Sequence, residues 1–454
     1  KVTWSSSYTV GKQTTPDLRL FINSFEELSG GVVYSDAEGN DVTGDALSLL
    51  ADGENLTEYY PNYTVAEEES NELYYSIQDN LYPSPTRFYR QMHNTTLDLK
   101  LNHEQPIVRD WGEDNKLMLG ASLVRRTRDY SENRYSFVSQ GVEYNGNPND
   151  YFSHENMNVI PGTSAEATNY LYLRDDTEIQ NSYEASESVL GVYSMVNVAP
   201  TEKLMLNGGV RLEVTEMLLE SDKLKDETLL PALQENFLGT LNVVDVLPSL
   251  NVTFKLREED YSSTNLRFSA SQSVARPLFR EKAPFSVFDF EIQEQQTGNT
   301  DLNRTKIVNI DGRLEVFPRL RELLSLSAFY KHFNDPIEQV IISTAANTEI
   351  TWKNVEQAQL FGLEFEAKKN LGFLSERLSA FNLAFNATYI QSATSIAEDE
   401  LMEIRATHPD HAETRPMYGQ SPYIINSILN YTHADGGLSM NAGFNISGPK
   451  LILI

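Results

Sequence analysis

Lys306-Ile307-Val308-Asn309-Ile310-Asp311-Gly312-Arg313-Leu314-Glu315-Val316-Phe317 places Val308, Ile310, Gly312, Leu314 and Val316 on one face of an extended chain. Asn309, Asp311, Arg313 and Glu315 fall on the other. Strict alternation of this kind marks a strand with two unlike faces. A tight link from Pro318 to Glu322 follows, and then Leu324, Leu326, Ala328 and Tyr330 alternate with Ser325, Ser327, Phe329 and Lys331. The two runs make an antiparallel hairpin.

The same division recurs along the chain. Leu97, Leu99 and Leu101 oppose Asp98, Lys100 and Asn102; Leu204, Leu206, Gly208, Val210 and Leu212 oppose Asn207, Gly209, Arg211 and Glu213; Phe361, Leu363, Phe365 and Ala367 oppose Gly362, Glu364, Glu366 and Lys368. Thirteen strands are expected, over 1–10, 92–102, 117–128, 188–198, 204–215, 246–256, 265–274, 306–317, 323–334, 358–368, 378–391, 421–432 and 437–447. A sheet that always shows one apolar and one polar face, in strands of about ten residues, fits a membrane barrel with lipid outside and water or a plug inside. The rivals are a large soluble all-β protein and a propeller, but no blade repeat of about 40–45 residues is visible.

The connections alternate between long and short. Long ones cover 11–91, 129–187, 216–245, 275–305, 335–357 and 392–420; short ones cover 103–116, 199–203, 257–264, 318–322, 369–377 and 433–436. All long loops then emerge at one rim, the asymmetry of outer-membrane barrels, whose extracellular loops are long and periplasmic turns short. Ala199-Pro200-Thr201-Glu202-Lys203 reads as a Pro-led turn, and His433-Ala434-Asp435-Gly436-Gly437 carries an Asp-Gly step suited to a type I′ hairpin. Tyr193, Tyr330, Tyr389, Tyr423 and Tyr431 are expected near strand ends on the apolar face, at headgroup level.

Bulk numbers narrow the class. The sequence has 454 residues, 40% of them hydrophobic, and contains no run of about 18 apolar residues, so any membrane span must be made of strands. The absence of cysteine removes disulfide scaffolds and thiolate metal sites. A net charge of -29 argues against nucleic acid, which needs clustered Lys and Arg. Residues 11–85 hold 15 Asp and Glu against Lys12 and Arg19, and read as one long, solvated acidic loop able to attract cations. Lys1 opens in mid-strand, so no signal peptide is expected within the sequence and the chain reads as a fragment.

Several motifs resemble a known family. Gly208-Gly209-Val210-Arg211-Leu212-Glu213, Leu247-Pro248-Ser249-Leu250-Asn251, Asn265-Leu266-Arg267-Phe268-Ser269, Ala275-Arg276-Pro277 with Phe279-Arg280-Glu281, Ser327-Ala328-Phe329-Tyr330-Lys331 and Gly419-Gln420-Ser421-Pro422-Tyr423 are similar to the TonB-dependent outer-membrane receptors, especially those of the Bacteroidetes group. The similarity covers most of 183–450. It implies a barrel of 22 strands around an N-terminal plug in the cell outer membrane, multi-pass, Gram-negative. Residues 1–454 then form one partial barrel domain of about 13 strands, in positions seven to nineteen, without the plug or the TonB-contacting segment.

The same resemblance implies a receptor for TonB-dependent active uptake of a scarce solute: siderophore, cobalamin, glycan or peptide. The alternative is a structural or adhesive barrel that binds without import. Expected partners are outer-membrane lipid and lipopolysaccharide, TonB through the plug segment, the imported solute and a surface lipoprotein, with no nucleic acid and no cofactor. No catalytic residue is assigned: Gly-x-Ser-x-Gly, His-Glu-x-x-His and phosphate-cradling loops are all missing, so no enzyme is expected.

Candidate site residues follow from the faces. Arg211, Glu213, Asp311, Arg313, Glu315, Lys331, Glu364, Glu366 and Lys368 should line the lumen or meet a plug, either guiding solute or pairing with each other across strands. The Arg276–Phe290 segment mixes Arg276, Arg280 and Lys282 with Phe279, Phe285, Phe288 and Phe290, a composition suited to gripping an organic ligand in a vestibule or to an inward-packed loop. His408-Pro409-Asp410-His411, with Glu403 and Glu413, is the one metal-like cluster, but Pro409 prevents a helix from presenting both rings together, and no metal site is assigned.

Overall fold

The computed structural model describes residues 1–21, 23–27, 32–35, 64–67, 73–77, 85–107, 115–157, 169–289, 294–343, 348–433 and 436–451. Much of the acidic 11–85 stretch lies outside them, as do Phe290, Ala434, Asp435 and Ile454. Two compact units are present: Lys1–Thr15, Arg90–Glu132 and Glu178–Ile454 make the first, Pro16–Tyr89 and Asn133–Thr177 the second.

The chain is all-β. Among the described residues thirteen long strands form one antiparallel sheet in chain order: Val2–Leu20, Thr86–Pro106, Lys116–Gln140, Tyr183–Thr201, Leu204–Ser221, Leu238–Glu259, Ser262–Ala275, Thr305–Phe317, Leu323–Asn334, Gln357–Asn370, Phe381–Ser395, Tyr423–Thr432 and Ser439–Ser447. Among the described residues no helix is long and apolar enough to cross a membrane.

Register shows why the sheet has two unlike faces. Phe254, Leu266, Leu314, Leu326, Phe365, Ala387, Ile425 and Ile446 stand side by side across eight strands. Leu326 is 56% exposed and Leu363 and Leu314 are also exposed, so this face meets no protein core. The neighbouring row on the opposite face runs Asn265, Glu315, Ser325, Glu366, Asn386, Asn426 and Asn445.

The apolar face ends abruptly. Leu123, Leu190, Val214 and Val244 form one cross-strand row, and the next row on the same face is Arg125, Ser188, Glu216 and Asn242. On the 238–259 strand the outward apolar positions run from Val244 to Leu256. At about 3.3 Å per residue and a tilt of about 40° that stretch spans about 30 Å, the depth of a hydrocarbon core.

Backbone pairing continues beyond that edge, which corrects the expected strand ends. The strand expected to stop at 215 runs to Ser221, and the one expected to stop at 128 runs to Gln140. Apolar alternation stops where lipid stops, whereas the hydrogen-bond ladder does not. The expected 216–245 loop shrinks to the 222–237 connection with two short 3₁₀ segments.

Other expectations change for similar reasons. The Pro-led turn narrows to Glu202-Lys203, because Ala199, Pro200 and Thr201 still belong to the strand, beside a register shift at Leu204/Leu206. Arg321 closes the 318–322 link at φ 68. Tyr193 is not on the apolar face: it pairs with Arg211 in register and donates from its hydroxyl to Asn102 Oδ1 at 2.9 Å, its ring lying over Gly120. In the second unit the supposed single acidic loop carries two ladders, Asn23–Glu27 with Leu73–Ile77 and Val32–Ser35 with Thr64–Glu67. Phe137, Tyr144, Tyr151 and Phe152 pack there with Phe21 as edge-to-face rings.

Candidate functional site: the polar face and the inward loop

The charges on the polar face of the sheet are joined to one another. Arg313 Nε donates to Glu315 Oε1 at 2.9 Å and its Nη2 to Glu366 Oε2 at 3.0 Å, while Arg267 reaches Glu315 and Lys368 reaches Glu366. Ser269 donates to Asp311, and Asn386 to Glu364. Lys331, on the same face, has no hydrogen bond or ion pair among the described residues. Higher up, Arg211 donates to Glu213 and Ser122, and Arg276 from the loop joins the same carboxylate. Glycines make room for the large groups: Arg211 crosses Gly191 and Phe329 crosses Gly362.

Of the Arg276–Phe290 segment, the part from Phe279 to Val287 folds against the sheet. Phe279–Lys282 is one helical turn, and Ala283 and Phe285 are buried with Tyr183, Ala185 and Leu219, flanked by Phe279, Tyr130, Val287 and Trp352. Burying a phenylalanine this fully contributes about 1.5–3 kcal/mol. The loop is closed by a tight approach: a methyl on Gly298 would lie 1.8 Å from the Ala283 carbonyl oxygen. Lys282, 1% exposed, donates from Nζ to the carbonyls of Thr300 and Leu302, and burial pulls its ammonium down to about 8. Phe288 lies opposite Gln295 in a short strand pair, which joins the Ile337–Ser343 and Thr348–Asn354 hairpin of the next long loop in a four-stranded sheet.

Between this loop and the wall lie two cavities, about 320 Å³ and 580 Å³. Arg128 and Arg280 border both. Arg90, Tyr130, Tyr183 and Phe285 are among the residues that line the smaller, and Arg126, Glu187, Arg276 and Phe279 among those that line the larger. Sequence reading missed Arg90, Arg128, Tyr130 and Tyr183. Arg125-Arg126-Thr127-Arg128 in so acidic a chain was the available signal.

In the outer loops Arg415 Nη1 donates to Glu400 Oε1 at 2.6 Å, with Glu338 nearby. Burial pushes the Glu338 and Glu400 carboxyls up, opposed by Arg415. His408 caps the Glu398–Thr407 helix and bonds Thr407, whereas His411 turns to the Ala412 carbonyl. No group of three or more metal-type side chains assembles among the described residues.

Comparison with known proteins supplies the family. Residues 7–449 match the family described as TonB dependent receptor-like, beta-barrel. No curated protein matches the sequence. Among solved structures, the copper transporter OprC is 15% identical with a TM-score of 0.51, over 82% of this chain and 45% of that one. The siderophore receptor PiuA from Acinetobacter baumannii is 13% identical with a TM-score of 0.48, over 80% and 46%. The chain thus spans about half the length of these structures. With strands in unbroken antiparallel order and a sheet that is apolar on one face and charged on the other, this chain belongs to the TonB-dependent receptor β-barrel family of the cell outer membrane.

Proposed function

We propose that the chain is the barrel wall of a receptor that takes up a scarce solute across the outer membrane, energised by TonB acting through a plug domain. The observation that carries this reading is the inward loop. A surface adhesin has no need to fold Phe279, Ala283 and Phe285 against the polar face of the wall and so create cavities of about 320 Å³ and 580 Å³ above the lipid belt. Siderophores, cobalamin, glycans and peptides are the solute classes considered, with copper and siderophores named for the structures compared above. Lipopolysaccharide would meet the exposed rows at Arg125 and Glu216, and a surface lipoprotein would meet the long loops.

Energy-dependent uptake tests the reading. Cells carrying the full-length receptor should accumulate its solute, and an uncoupler that collapses the inner-membrane proton gradient should stop accumulation while leaving surface binding. Uptake that persists without the gradient would defeat the proposal.

A further inference from the structure

We propose that Glu338, Glu400 and Arg415 form a proton-dependent latch that fastens the 392–420 loop to the neighbouring 335–357 loop. The latch is a property of the outer loops and stands whether or not the chain imports a solute.

Three elements meet at the cluster. Glu338 comes from the Ile337–Ser343 strand, Glu400 from the Glu398–Thr407 helix, and Arg415 from the two-residue strand Thr414–Arg415, which pairs with the end of the Phe381–Ser395 strand of the wall. Glu338 is 5% exposed, and the side chains of Glu400 and Arg415 are 10% and 9% exposed. Arg415 Nη1 donates to Glu400 Oε1 at 2.6 Å. Glu338 has no ion pair among the described residues and takes the backbone N–H of Tyr418. Glu338 Oε2, Glu400 Oε2 and the Nε and Nη2 of Arg415 are buried without a hydrogen-bond partner among the described residues.

One guanidinium against two carboxylates leaves a negative charge where water barely reaches, a costly arrangement. A proton on Glu338 removes that charge and turns an orphaned acceptor into a donor. Burial pushes both carboxyls up, with Glu400 adding to the rise at Glu338 and Arg415 opposing it. The other charges that face the pair are Asp399 and Lys353, which join the same helix to the same hairpin. Lys353 holds the Asp399 carboxyl below its usual range, so that second tie keeps its charges where Glu338 titrates. His408 and His411 are exposed on the same loop, bonded to Thr407 and to the Ala412 carbonyl.

The sign follows from the raised carboxyls. Above the ordinary value of 4.5 the docked loop binds more protons than the undocked one, so docking weakens as pH rises from 4.5 through the docked value. The Ile337–Ser343 strand shares a four-stranded sheet with Ser286–Asp289 of the inward loop. Acidification therefore fastens the 392–420 loop to the frame on which the inward loop is built.

The test is hydrogen exchange of the 398–415 amides in the full-length receptor in detergent, corrected for intrinsic exchange, between about pH 5 and about pH 8. Protection should fall by about tenfold across that range. Glu338→Gln, which keeps the shape of the protonated group, should be flat and as protected at the alkaline end as the unaltered receptor is at the acidic end. Glu338→Leu should also flatten the slope, whatever its level of protection. Glu403→Gln, on the exposed side of the same helix, and the double variant His408→Gln with His411→Gln should both keep the slope. Protection that is flat or rises with pH, a slope that persists in Glu338→Gln, or one that vanishes with the two histidines would overturn the proposal. Because loop docking and not uptake is measured, none of these outcomes bears on the import reading.

Discussion

Arg276 Nη2 lies 2.5 Å from Glu213 Oε2, across 63 residues of sequence, with both side chains less than a fifth exposed. This pair ties the first turn of the inward loop to the wall beside Val214, the last apolar position before the polar row begins. Glu213 also accepts from Arg211 Nε at 2.6 Å, so one carboxylate serves two guanidiniums. Arg276→Gln should therefore cost about 1–3 kcal/mol of loop stability, and Glu213→Gln more, because it leaves two cations facing each other. Hydrogen exchange of amides in 277–304 reads this out; unchanged protection in both variants would show that the pair is not an anchor.

Gly298 and Gly312 make a matched pair of substitutions. A Cβ on Gly298 would stand 1.8 Å from a backbone oxygen, whereas one on Gly312 meets nothing within 4 Å. Gly298→Ala should open the loop to limited proteolysis and release Asn299 from its backbone bond to Glu281. Gly312→Ala should be neutral. Equal protease resistance of the two variants would contradict the close approach.

The pH dependence of the loop should carry the signature of Lys282. Its ordinary value of 10.5 falls to about 8 in the folded loop, so between those two values the unfolded loop binds more protons than the folded one. Loop stability should then rise as pH goes from about 8 to about 10.5, by at most about 1.4 kcal/mol per unit, and stay level below that window. Protease resistance measured across this range checks it. Lys282→Met should abolish the slope; a slope that persists in the variant must come from another group.

A charge placed in the belt should be penalised by depth. Leu250 is 44% exposed in the middle of the apolar positions of its strand, while Thr240 lies beyond the Asn242 row. Leu250→Arg should cost about 2–4 kcal/mol and Thr240→Arg about 0–1 kcal/mol when the full-length protein is folded into lipid vesicles. Similar costs at the two positions would mean that the belt edge has been misplaced.

All thirteen strands, their order and the facing of residues such as Leu314 and Arg313 were legible in the sequence. A strand's two faces follow from alternation over neighbouring residues, and lipid on one side with charge on the other makes that alternation unusually clean. Strand ends were not legible, because Glu216 and Glu220 continue the ladder without continuing the apolar pattern. Nor was the side taken by Tyr193, whose register beside Arg211 puts it on the polar face.

The local pattern therefore determined a membrane wall with one apolar and one polar face. Tertiary structure alone decided which charges on that face meet which partners. Arg276 meets Glu213, and Arg128 shares its cavities with Arg280, through loop closures of many tens of residues. Contacts of that range depend on how the loop packs on the sheet, a matter on which the period of any single strand is silent.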